Sequence, residues 1–105
     1  MDLLSFPAET EQNIRNESNL FGVKVFKGGA PYPLSGTVSA LFIRPDGTTQ
    51  TISQNASISG NRASVPVSAS AYGGDGNYTL AIILTQSGQR TTLGMFYGTV
   101  RSSDI

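Results

Sequence analysis

The sequence predicts an all-β fold, a sandwich of short antiparallel strands. Three observations carry this reading. Several segments alternate apolar and polar residues with a period of two, as half-buried strands do. Turn residues separate these segments every eight to twelve residues or so. The composition suits strands joined by tight turns: 12 Gly among 105 residues, abundant Ser and Thr, and only 13% charged residues. The length fits one domain, and the 38% hydrophobic fraction is enough for one core.

The strongest element is Asn77 to Thr85. Tyr78, Leu80, Ile82 and Leu84 fall on one face, which is fully apolar and should lie on a core. Thr79, Ala81, Ile83 and Thr85 fall on the other, which is half apolar and should be partly covered.

In chain order, residues 1–19 show no period of two. Met1, Leu3, Leu4 and Phe6 form an apolar tip before Pro7, and a polar stretch follows with Ile14 as its one large apolar residue. This reads as an extended N-terminal arm, with a short helix over 8–16 as the weaker alternative. The arm is either a disordered leader or a segment that pins its tip to a partner. It holds Asp2, Glu9, Glu11 and Glu17 against Arg15 alone, whereas the rest of the chain has an excess of cations. The two could attract, although exposed pairs contribute only about 0–1 kcal/mol each, and ordinary surface scatter explains the pattern as well.

Residues 20–105 read as the sandwich. Leu20 to Lys27 is a strand with Phe21, Val23 and Val25 inward, and Phe26 breaks its alternation. Gly28 to Pro33 is a turn and a stiff connection, with Leu34 expected to plug one end of the core. Thr37 to Arg44 carries Val38, Ala40 and Phe42 on one face, and Leu41 and Ile43 on the other. Pro45-Asp46-Gly47 turns the chain into a Thr-rich strand around Ile52. Ala56 and Ile58 begin a short strand, Ser59-Gly60-Asn61 forms a hairpin turn, and Arg62 to Val67 returns with Ala63, Val65 and Val67 aligned. Pro66 cannot donate to a ladder, so this strand is expected at an edge or with that position facing solvent. One helical turn is expected over 68–71. After the central strand, Gln86 to Gln89 is a turn. The last strand carries Leu93, Met95, Phe96, Tyr97 and Val100, and its Gly94 and Gly98 signal a bulge or a close backbone approach.

About seven such strands fit an immunoglobulin-like β-sandwich. Gly76-Asn-Tyr78-Thr-Leu80 resembles the tyrosine corner of that fold. Tyr78 would bond back to nearby backbone, Leu80 would take the core place of a disulfide cysteine, and Phe42 that of the core tryptophan.

The residues argue against catalysis. There is no His and no Cys, so a triad has neither its usual base nor a thiol. Asp46, Asp75 and Asp104 sit in turns or the tail, where Asp serves the backbone, and they make no carboxylate pair. No zinc ligand set or calcium loop is present. Gly73-Gly-Asp-Gly76 precedes a strand, so it is not a phosphate loop. No cofactor or metal is therefore expected. Zero net charge gives no reason to expect nucleic acid or an anionic membrane. No apolar run approaches the roughly 18–20 residues that span a bilayer, and Met1 to Pro7 lacks the pattern of a secretory leader. The triplets at Asn16, Asn55 and Asn77 that match a glycosylation acceptor are ordinary in so Ser- and Thr-rich a chain.

A contact surface is the more informative candidate. Leu41, Ile43, Ala81 and Ile83 are apolar where a solvated sheet would be polar. Either the N-terminal arm, through Leu3, Leu4 and Phe6, covers them, or another subunit does, or their facing differs from this reading. Tyr32, Tyr72 and Tyr97 could stack on sugar rings, although aromatics in sandwiches more often serve the core.

From Asn19 onward the sequence resembles a family of small immunoglobulin-like phage virion proteins. The matching motifs are Gly36-Thr, Phe42-Ile-Arg-Pro-Asp-Gly-Thr-Thr49, Ile58-Ser-Gly-Asn61, Ala71-Tyr72, Gly76-Asn-Tyr-Thr-Leu-Ala-Ile82 and Gly98-Thr-Val100. Tyr32-Pro33 and Pro66 depart from the pattern. The resemblance implies a non-enzymatic structural protein of the virion, made in the host cytoplasm, that decorates the capsid or anchors a head fibre. It implies contacts with the major capsid protein, other virion proteins or its own copies as a homo-oligomer. A tail or baseplate module of the same fold and a carbohydrate-binding module are the alternatives.

Overall fold

A computed structural model describes residues 10–102 of the chain. Eleven strands follow in order: β1 Thr10–Glu11, β2 Ile14–Arg15, β3 Asn19–Lys24, β4 Phe26–Lys27, β5 Ala30–Pro31, β6 Thr37–Ile43, β7 Thr49–Ile52, β8 Ser57–Ser59, β9 Arg62–Val67, β10 Gly76–Gln86 and β11 Gln89–Arg101. The larger sheet runs β1-β11-β10-β6-β7, with β2 also on β11, and the smaller runs β3-β9-β8. β4 and β5 form a small separate hairpin. The chain is an immunoglobulin-like β-sandwich.

The core forms because the inward rows of the two sheets meet. Leu80 pairs directly with Phe42 across β10 and β6, and both are fully buried. Phe21, Val65 and Val67 close the core from the smaller sheet, and Leu34 joins the core. Aromatic rings tie the layers: Phe21 meets Tyr78 at 6.1 Å and Phe96 at 5.2 Å, both edge-on. Phe42 meets Tyr72 edge-on at 5.5 Å. Among the described residues no polar or charged residue is buried.

The N-terminal segment departs from a free arm or a helix in its described part. β1 and β2 run parallel to β11, with Thr10 opposite Phe96 and Ile14 opposite Val100. Backbone and side-chain bonds hold it. Gln12 N donates to the Tyr97 carbonyl at 2.8 Å, and Asn16 N donates to the Arg101 carbonyl at 2.7 Å. Asn13 Oδ1 accepts from Thr99 N and Oγ1. The gap between β1 and β2 lies over Gly98, whose φ is +152° and where an added Cβ would sit 2.5 Å from the Gln12 carbonyl oxygen. That is the close approach its glycine signalled.

Tyr78 explains a second difference. Its hydroxyl does not bond to nearby backbone upstream but donates to the Gln12 carbonyl at 2.6 Å. Tyr78 thus fastens the N-terminal segment to β10 instead of making the expected corner.

Pro66 gives a third. β9 is the central strand of its sheet, not an edge. Pairing with β8 stops at Ser64, however, so Pro66 has a neighbour only on the β3 side, opposite Leu20. The turn of β10 into β11 has Ser87 at φ +48° and Gly88 at φ +82°, the backbone of a tight hairpin.

Candidate contact face

The outward face of the larger sheet brings the sequence-predicted residues together. Ladder pairing sets Ile43, Thr79 and Tyr97 in one row across β6, β10 and β11. Leu41, Ala81 and Met95 make the next row, and Ser39, Ile83 and Thr92 the third. Ile43 is 38% exposed and Tyr97 41%, while Leu41, Ala81 and Met95 are half-buried. Ile83 is 8% exposed. The described part of the N-terminal segment lies along the β11 edge and does not cover this face. Leu3, Leu4 and Phe6 lie outside the described residues.

Met95 and Tyr97 belong to the same face, yet period-two reading of β11 does not find them together with its first half. Ile82 pairs with Gly94, but Ile83 pairs with Thr92, so Leu93 is an extra residue. This bulge turns Leu93 wholly inward and reverses the facing of everything before it. Arg90, opposite Thr85, therefore shares the outward face with Tyr97. Glu11, opposite Tyr97, flanks it from β1. The glycine at 94 was the signal, and pairing was needed to read it.

Asp46, Asp75 and Arg44 are bonded within the structure. Asp46 Oδ1 accepts from Thr48 N at 2.9 Å and Oγ1 at 2.6 Å, which closes the turn after β6. These bonds hold its carboxyl below the usual aspartate range. Asp75 Oδ2 accepts from Ser102 N and Oγ, and Oδ1 accepts from Asn16 Nδ2, so it joins both ends of the described chain. The Ser102 bonds lower its pKa too. Arg44 fixes the turn before β10: Nε donates to the Ala71 carbonyl at 2.8 Å, and the guanidinium also reaches Thr48 and Gln50. Among the described residues no three His, Cys, Asp or Glu side chains gather as a metal site would need.

The three tyrosines do not form one platform. Tyr72 is fully buried, with its hydroxyl accepting from Asn19 Nδ2 at 2.8 Å. Tyr32 packs partly against the core beneath Lys27 Nζ, 5.8 Å from the ring centre. Only Tyr97 of the three is exposed. A shallow groove of about 430 Å³ between β7 and the end of β9 is lined by Gln50, Ser53, Asn55 and Ser68 among others, with no charged side chain.

No protein-family model matches the chain, and no curated protein matches it. Some solved structures are similar in shape. The M1 domain of titin shares 7% identity at a TM-score of 0.46, with 97% of this chain and 96% of that one covered. An IG27 protein domain shares 10% at 0.43, covering 97% of each. Titin domain M7 shares 12% at 0.42, covering 97% of this chain and 93% of that one. Strand order and register carry the fold, and these likenesses say nothing of function.

Proposed function

We propose that this chain is a non-enzymatic structural protein of a phage virion, decorating the capsid or anchoring a fibre on it through protein–protein contacts. The observation that carries a contact role is the outward apolar face of Leu41, Ile43, Ala81 and Met95, with Tyr97 at its corner. Among the serines and threonines of this outward face these apolar side chains stand in neighbouring rows, where a fully solvated face would be polar. The virion assignment rests on the sequence motifs from Gly36 to Val100. The carboxylates of Asp46, in a turn, and Asp75, between the chain ends, are taken up in structural bonds, which suits a role free of catalysis. Many copies on one shell would make a modest single contact sufficient through avidity.

Mass spectrometry of purified particles from the phage that encodes the chain tests this reading. The protein is expected among the shell proteins, and an antibody against it should decorate the head. Particles that lack it contradict the proposal. Decoration confined to the tail would move the same fold to a baseplate role.

A further inference from the structure

We propose that the outward face of the larger sheet pairs with the same face of a second copy, the two sheets crossing with their strands antiparallel. This deepens the contact role proposed above by naming the partner. Charge and position on the face favour it. Glu11 and Tyr97 stand side by side at one end of the face, next to the exposed Ile43–Thr79–Tyr97 row. Arg90 stands at the opposite end, beside Thr85. All three of Glu11, Arg90 and Tyr97 are exposed.

Thr79 and Thr85 are six residues apart on β10, which is about 20 Å along the strand. Turn a second copy by half a rotation about an axis lying across the strands, level with Ile82. Each strand then lies over its counterpart with its direction reversed. Arg90 of each copy arrives over Tyr97 of the other, with Glu11 beside it. The guanidinium gains a ring face and a carboxylate together. Between these two corners Ala81 meets Ile83, while Leu41 and Met95 lie over Ser39 and Thr92. The contact is self-complementary, as a two-fold pairing must be. Half a turn about an axis along the strands would bring Glu11 over the Thr49 end instead and leave both charges unmatched. Aligned sheets cross at about 30°, which displaces the corners by about 5 Å, within the reach of an arginine. The chain carries zero net charge, so no long-range repulsion opposes the approach of two copies.

Sedimentation velocity on the purified chain, across concentration and salt, tests the pairing. The chain is expected to sediment as a dimer at about 100 μM, the range of a micromolar contact. Glu11→Arg and Arg90→Glu, each alone, place like charges at both corners and should weaken the dimer about tenfold or more. Mixing these two variants restores both opposite pairs, so a heterodimer should form where each alone is monomeric. Both positions are on the surface, and circular dichroism confirms that each variant folds. A wild-type chain that stays monomeric at about 1 mM overturns the proposal. So does a dimer that neither reversal weakens, or two weakened variants that fail to pair when mixed. A monomeric result leaves the virion assignment to the particle proteome, which tests it independently.

Discussion

The two faces of β10 share one backbone and have opposite fates. Tyr78, Leu80, Ile82 and Leu84 are at most 2% exposed, because a second sheet lies over them. Thr79, Ala81 and Thr85 stay half-buried, and their row neighbours Ile43 and Tyr97 stand out in water. Apolarity on the first face stabilises the fold. On the second it is only partly withdrawn from water, with Ile83, 8% exposed, as the exception. The lesson is that burial, and not hydrophobicity by itself, separates a core residue from a contact residue on the same strand.

Mutations sharpen this contrast, beginning with the largest effect. Leu80→Ala opens a cavity beside Phe42 and should cost about 2–5 kcal/mol in urea unfolding. A cost under about 1 kcal/mol would mean that the inward row is loosely packed. Gly98→Ala puts a methyl against the Gln12 carbonyl at a left-handed φ, on the row of Tyr78. It should cost about 1–3 kcal/mol, with faster amide exchange over residues 10–15 as its signature.

Tyr78→Phe removes the hydroxyl that holds Gln12 and should cost about 1–2 kcal/mol. It also has a pH signature. Burial pushes the Tyr78 phenol up to about 12 from its ordinary value of 10.0. The protonated form is therefore favoured in the fold. The stabilisation is complete below pH 10 and is lost as pH rises through about 12. Thermal melts between pH 9 and 12 should show a shallower loss in the variant, in which Tyr72, raised in the same direction by burial, still titrates. Identical slopes would show that Tyr78 is not the group responsible.

Ile43→Lys belongs to the outward face and should change stability by less than about 0.5 kcal/mol. A loss comparable to that of Leu80→Ala would erase the contrast between the faces.

Much of this was legible from residues alone. The strands around Val23, Ala40, Val65 and Ile82 announce themselves because one face is buried and the period of two is strict. So do the turns at Asp46, Gly60 and Ser87, where backbone geometry selects the residue. The N-terminal strands were not legible. Thr10 and Gln12 carry no apolar period, and their stability comes from backbone bonds and from Tyr78 and Asn13 reaching partners distant in sequence. The central place of β9 was hidden because Pro66 lies just past the end of a short neighbour. On the contact face, Leu41, Ile43, Ala81 and Ile83 could be read from β6 and β10. Met95, Tyr97 and Arg90 could not be placed, since one extra residue at Leu93 reverses the facing of half a strand.

The chain contains no cysteine, so single substitutions give unique chemical handles on each face. The most direct test compares maleimide labelling of Ile43→Cys with that of Ser59→Cys, which sits exposed on the smaller sheet. Labelling is measured on the dilute free chain and on the assembled particle. The outward-face account predicts that position 43 reacts freely when dilute and is protected on assembly, while position 59 stays reactive in both. Equal reactivity at position 43 in the two states would contradict it.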